Sequence, residues 1–212
     1  MQDACVALRL FLHAAANGHV IAEHGVGCCK LTGKGCVKDA CTAVMCFRRS
    51  ADQGYAPAQC SLGNCYENGD GVDKDPVQAV AWYRRAAEQG HANAQCSLDS
   101  CYYHGTGLEK DPVQAVVWYL LAAEQGHACA QTNLGVCYAN GEGVEEDLVQ
   151  AVSWIRRAAD QGFAAAQFSL GVCYAEGKGV EKDLVQAVVW YRLAAAQGFP
   201  PAIEALAKRG IL

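Results

Sequence analysis

Trp82, Trp118, Trp154 and Trp190 stand 36 residues apart. The same interval separates Gly18, Gly54, Gly90, Gly126, Gly162 and Gly198, and again Asp39, Asp75, Asp111, Asp147 and Asp183. The run Asp75-Pro76-Val77-Gln78-Ala79-Val80 returns nearly verbatim from Asp111, and with leucine for proline from Asp147 and Asp183. No insertion breaks this register between Asp3 and Leu212. A period of this length belongs to a solenoid, in which no unit buries a core alone and neighbours stack to build one. The register therefore predicts a single array over residues 1–212.

Each unit reads as a pair of helices. In the second, helix B, Asp75 supplies an N-cap and Pro76 suits the first helical position. Val77 to Gln89 then runs without a breaker to Gly90, with Val77, Val80, Ala81, Tyr83 and Ala87 at helical spacing. Helix A is expected over Ala56 to Tyr66, with Ala58, Leu62, Cys65 and Tyr66 on one stripe; Gly69 and Gly71 turn the chain into helix B. This Gly-x-Gly follows a helix rather than a strand, which argues against a dinucleotide-binding loop, and no other cofactor motif stands out. Residues 1–17 make a leading helix B, residues 18–53, 54–89, 90–125, 126–161 and 162–197 five full units, and residues 198–212 a lone capping helix A. The expectation is an all-α, right-handed superhelical solenoid of about twelve helices, with a concave and a convex face.

Composition narrows the function. Of 212 residues 52% are hydrophobic, ample for a core, and the formal net charge of −5 argues against a nucleic-acid partner, which selects basic patches. No charge-free apolar stretch approaches the ~18 residues of a membrane span. The start Met-Gln-Asp-Ala-Cys reads poorly as a signal peptide, and 13 cysteines cannot all pair within one chain. A reducing compartment, the cytoplasm, is the simpler expectation.

The pattern Ala-x-Ala-Gln-x-x-Leu-Gly-x-x-Tyr, then Gly-x-Gly-Val-x-x-Asp, then Ala-x-x-Trp-Tyr-x-x-Ala-Ala-x-Gln-Gly resembles the Sel1-like repeat family, relatives of the tetratricopeptide repeat. Residues 164–198 fit it almost throughout. Departures concentrate early. Cys46-Phe47 and Leu10-Phe11 stand for Trp-Tyr, Lys30 for the Tyr66-type tyrosine, and Gly25 and Gly27 weaken the helix expected between Val20 and Leu31. Ile155 stands for tyrosine, and Asp99 sits where Gly63, Gly135 and Gly171 allow close packing. The first unit is expected to be the least regular. The resemblance implies a non-catalytic scaffold or adaptor that holds a protein or peptide in its groove. A hydrolase role, proposed for some cysteine-rich relatives, is the alternative it leaves open.

Comparing the units with one another locates a partner surface. Ala58, Leu62 and Tyr66 recur in later units, as stacking requires, whereas four helix A columns vary. They hold Pro57, Cys60, Asn64 and Glu67 in one unit, Asn93, Cys96, Ser100 and Tyr103 in the next, then Thr132, Val136 and Ala139, then Phe168 and Val172. Spacings of three and four residues put them on one face. In the tetratricopeptide relatives the equivalent face of helix A lines the concave groove, and the resemblance implies the same role here. Tyr103 and Phe168 have no packing duty evident in the repeat, and aromatics anchor partners. The face grades from polar to apolar, which suits a peptide with two unlike ends.

Other groups read as structural. Cys29, Cys65, Cys101, Cys137 and Cys173 fill one small apolar column. Cys60 and Cys96 lie on neighbouring helices expected roughly 8–10 Å apart, beyond disulfide reach. Cysteine-rich members of the family tie helix B to the next helix A by disulfides, but Ala86-Ala87-Glu88-Gln89 has no cysteine there. The cluster His24, Cys28, Cys29, Cys36, Cys41 and Cys46 leaves a zinc-stabilised first unit as a second alternative, although no Cys-x-x-Cys pair supports it. His19, His91 and His127 share a column with Tyr55 and Phe163 and read as space-filling. Arg48–Asp52, Arg84–Glu88 and Arg156–Asp160 are candidate ion pairs along helix B.

Overall fold

The computed structural model describes residues 2–210 and, among them, twelve helices and no strand. They fall into two compact units, Met1–Lys110 and Asp111–Leu212. The first holds α1 (Gln2–Ala16), α2 (Val20–Thr32), α3 (Ala40–Asp52), α4 (Ala56–Asn68), α5 (Pro76–Glu88) and α6 (Ala92–His104). The second holds α7 (Pro112–Glu124), α8 (Ala128–Asn140), α9 (Leu148–Asp160), α10 (Ala164–Glu176), α11 (Leu184–Ala196) and α12 (Pro200–Ala207). Within each unit every helix packs on the next in sequence. The odd-numbered helices take the part of helix B and the even-numbered ones that of helix A. The closing helix is shorter than the sequence suggests, ending at Ala207, and residues 211–212 lie outside the described part.

The helix boundaries follow from local chemistry. Asp75 Oδ1 accepts hydrogen bonds from the Val77 and Gln78 amides at 3.0 Å each, satisfying two N–H groups that the first turn leaves over. Asp111, Asp147 and Asp183 repeat this cap. Helix A is capped differently: His91 Nδ1 accepts from the Ala94 amide and His127 Nδ1 from the Ala130 amide, both at 3.2 Å. These histidines therefore do more than fill space. Burial lowers the pKa of both rings, keeping the neutral form that this acceptor role requires.

Leu62, Leu98, Leu134 and Leu170, one from each of four helices A, are wholly buried, each stabilising the fold by about 1.5–3 kcal/mol. The helices of a hairpin meet closely because Gly63 faces the Tyr83 ring and Gly171 the Tyr191 ring, where an added Cβ would lie 2.5 and 2.7 Å away. Gly27 occupies this same column against Phe47. Gly25 makes room for Phe11. The two glycines do not interrupt α2, which keeps the 13-residue length of its counterparts.

Two polar ladders join the helices. Gln59, Gln95, Gln131 and Gln167 each donate their side-chain amide to the carbonyl of Ala51, Ala87, Ala123 and Ala159, at 2.9–3.3 Å. Arg48, Arg84 and Arg156 donate to the hydroxyls of Tyr66, Tyr102 and Tyr174 on the following helix A. The i,i+4 ion pairs expected for these arginines do not form; reaching the next helix satisfies each guanidinium better than a reversed-order pair on its own helix.

Candidate partner-binding face

The varied helix A columns are only in part an open surface. In the first unit Asn64 and Asn93 are exposed, and Pro57, Glu67, Cys96, Ser100 and Tyr103 are half-buried. In the second Val136 is exposed, whereas Ala139, Phe168 and Val172 are half-buried. Cys60 and Thr132 are buried, at 5% and 7% exposure, and cannot be reached by a partner. The Thr132 hydroxyl is spent on the Ala128 carbonyl at 2.8 Å. Burial, with the Glu67 charge nearby, pushes the Cys60 thiol up to about 11. Variation between units therefore does not guarantee exposure, because a column can vary in identity and still be covered.

Phe168 also departs from expectation. Its ring lies 5.5 Å from that of Tyr191 and 5.7 Å from that of Phe199, and it packs with Val172 against the cluster of Ala187, Tyr191 and Leu206. It has a packing duty after all, the one imposed by the closing helix. Tyr103 remains half-exposed, edge-on to His104 at 5.0 Å, with Lys110 Nζ 5.5 Å above its ring.

The most ordered polar feature on this face is Asn64 with Glu67. The Tyr83 hydroxyl reaches Asn64 Oδ1 and Glu67 Oε2, each at 2.7 Å. One phenolic hydrogen serves two acceptors, of which the carboxylate is the stronger. Burial raises the Tyr83 pKa well above the ordinary phenol, and Glu67 raises it further, so Tyr83 remains a donor at neutral pH. Tyr83, itself fully buried, thus fixes two side chains that face outward one helical turn apart.

The remaining candidates settle into the core. Cys65, Cys101 and Cys137 are at most 3% exposed, and burial pushes the first two thiols up to about 11 and about 12. Such thiols are poor nucleophiles, since the thiolate is the reactive form. They also carry a pH signature. The folded pKa lies above the unfolded one, so their contribution is intact below about pH 9 and is lost as pH rises toward the folded values. Cys60, Cys65 and Cys101 should each weaken folding by about 1 kcal/mol between pH 8 and about pH 10, read as a falling urea midpoint. Cys65→Ala should flatten that fall.

His24 packs at ring distances of 5.4 Å from Phe47 and 5.5 Å from Tyr55, with Nε2 3.0 Å from Ser61 Oγ and 3.6 Å from Cys28 Sγ. Among the described residues no three or more His, Cys, Asp or Glu side chains converge on a site able to hold a metal ion. Among the described residues no disulfide links any of the thirteen cysteines. No helix among the described residues is long and apolar enough to cross a membrane.

Comparison with known proteins agrees with this architecture. No curated protein matches the sequence. A protective antigen of uropathogenic Escherichia coli displaying an SLR fold is 38% identical with a TM-score of 0.88, over 95% of this chain and 43% of that one. The chain thus spans less than half of that protein's length. A Sel1 repeat protein from Oxalobacter formigenes is 32% identical with a TM-score of 0.85, over 94% of this chain and 86% of that one. Cysteine rich protein B of Helicobacter pylori is 26% identical with a TM-score of 0.51, over 63% of this chain and 96% of its own. The Sel1 repeat model matches five times, at residues 20–55, 56–91, 92–127, 130–163 and 164–199, and the chain belongs to the Sel1 repeat family.

Proposed function

We propose that the chain is a non-catalytic interaction module that holds a partner protein or peptide along the helix A face of its repeats. Proteins built of these repeats generally serve as interaction scaffolds. The observation that carries the reading is the Tyr83-anchored pair, Asn64 and Glu67, together with exposed Asn93 and half-exposed Tyr103 in the same columns of the next repeat. A buried donor that immobilises two outward-facing polar groups lowers the entropy a partner loses on binding, which is how recognition surfaces are prepared. Amide and carboxylate together match the N–H and C=O groups of a peptide backbone. The aromatic ring of Tyr103 adds the apolar anchor typical of binding hot spots. In the second unit Val136, Ala139 and Val172 give the corresponding columns an apolar character.

The test compares variants for retention of a partner captured from the native host. Tyr103→Ala and Asn64→Ala together should weaken binding about tenfold or more while leaving the circular dichroism spectrum unchanged. Phe168→Ala should instead lower thermal stability, because that ring packs on Tyr191 and Phe199. Undiminished binding by the Tyr103/Asn64 variant would remove the helix A face from consideration.

A further inference from the structure

A cavity of about 280 Å³ opens between α1, α2 and α3, with Leu12, Val26, Lys30, Cys46 and Arg49 among its walls. The repeat register explains why it is there. Cys46 occupies the column of Trp82, Trp118, Trp154 and Trp190, and Lys30 that of Tyr66, Tyr102, Tyr138 and Tyr174. Leu12 stands where Arg48, Arg84 and Arg156 reach those tyrosines. In the next repeat the corresponding space is filled: Trp82 packs with Leu62, Ala51, Ala58 and Tyr66. Replacing an indole by a thiol, and a phenol by a flexible ammonium chain, leaves that volume vacant.

Arg49 records what is missing. The arginines one repeat and three repeats further on, Arg85 and Arg157, lie over the rings of Trp82 and Trp154 at 4.5 and 4.4 Å. Arg49 holds the same position but has no ring beneath it: Nη2 lies 3.9 Å from the Cys46 sulfur and Nε 3.8 Å from the Glu23 carboxylate, another wall of the cavity. Its side chain stays 62% exposed at the mouth of the cavity. A guanidinium thus borders a cavity whose walls include the buried Val26, Cys46 and Glu23.

We infer that this cavity is a binding site for an indole ring, which enters where the other repeats carry their own tryptophan and lies beneath Arg49. The cavity is open on one side and lined by Leu12, Val26 and Cys46 together with the polar Glu23, Lys30 and Thr42; its apolar walls accept an aromatic guest, and the Arg49 cation beside the ring adds to the attraction. The volume lies near the lower end of ligand pockets, about 300 Å³, so one fused ring system fits and a larger molecule does not. The ring's source is either a free indole compound or the tryptophan side chain of a partner, and the two are distinguished by measurement.

The probes are indole and N-acetyl-tryptophanamide, titrated into the full chain and followed by calorimetry and by amide shifts in the nuclear magnetic resonance spectrum. Saturable binding is expected, with shifts confined to α1, α2 and α3. Tighter binding of the amide identifies a partner's side chain as the natural occupant, and tighter binding of indole identifies a small molecule. Cys46→Trp should fill the slot with the chain's own ring, abolish binding of both probes and raise the melting temperature. Arg49→Ala, which removes a largely exposed side chain and its long pair with Glu23, should weaken binding several-fold, and keeps the test open if Cys46→Trp folds poorly. Absence of saturable binding, or binding unchanged in both variants, overturns the assignment. Neither result bears on the helix A face, whose test uses residues on α4 and α6.

Discussion

Gly71→Ala should be among the most damaging single-methyl additions in the chain, whereas Gly69→Ala, two residues away, should be mild. Both glycines have positive φ, +73° and +80°, so each substitution incurs the left-handed penalty of about 1–2 kcal/mol. Their surroundings differ. A Cβ on Gly69 finds its nearest neighbour, Lys74 Cβ, at 3.5 Å, an ordinary contact. A Cβ on Gly71 would lie 2.3 Å from the Ala40 carbonyl oxygen and 2.4 Å from its carbon, at the start of α3. Backbone at a capped helix start cannot swing aside as a side chain can, so the turn must lift off its neighbour. The added overpacking brings the total to about 3 kcal/mol or more for Gly71→Ala. Gly35, Gly107, Gly143 and Gly179 repeat the contact against Ala4, Pro76, Pro112 and Leu148, so the arrangement is a property of the repeat. Urea unfolding followed by circular dichroism measures the contrast. Equal losses for the two variants would mean that the turn is not held against α3 as tightly as the distances imply.

The fold was legible because a solenoid writes its geometry once per repeat. Six columns of glycine, aspartate, tryptophan, alanine, leucine and tyrosine predict every helix pair, and the Asp75-type caps sit where the sequence puts them. The candidate face was less legible. Comparing units separates fixed from free identity, but Cys60 and Thr132 show that small side chains are interchangeable in a covered position. Phe168 was misread for a different reason. Its packing partners, Tyr191 and Phe199, belong to the end of the array, where the last helix alters a rule that holds in the interior. Long polar side chains were hardest to place. Nothing in the spacing distinguishes an arginine that pairs along its own helix from one that reaches Tyr66, Tyr102 or Tyr174 across to the next, although recurrence of both columns at one interval was a usable signal. The cavity at Cys46 was visible as a departure from the pattern, but only neighbouring departures at Leu12 and Lys30 turn one small residue into a vacancy.

Glu23→Gln should stabilise the protein, although it removes an ion pair. Glu23 occupies the column of Gln59, Gln95, Gln131 and Gln167, whose amide nitrogens donate to the carbonyls of Ala51, Ala87, Ala123 and Ala159. Ala15 is the equivalent carbonyl for α2, and a carboxylate has no hydrogen to offer it. Glu23 is 8% exposed, and its Oε2 has no hydrogen-bond partner among the described residues. A buried polar atom left in that state costs about 1–3 kcal/mol, whereas the compensating pair with Arg49 is long, 3.8 Å, and joins a side chain that is 62% exposed. Such a pair contributes under about 1 kcal/mol, so the unsatisfied oxygen outweighs it. Glutamine restores the donor, keeps the shape and removes the buried charge; the expected gain is about 1–2 kcal/mol in the free energy of unfolding. Glu23→Ala serves as the control, since it also removes the charge but leaves a gap and no donor, and should be neutral or destabilising. Thermal and urea unfolding of the three proteins at neutral pH give the ordering. If Glu23→Gln proved no more stable than the parent, Glu23 would have a donor that its neighbours among the described residues do not supply.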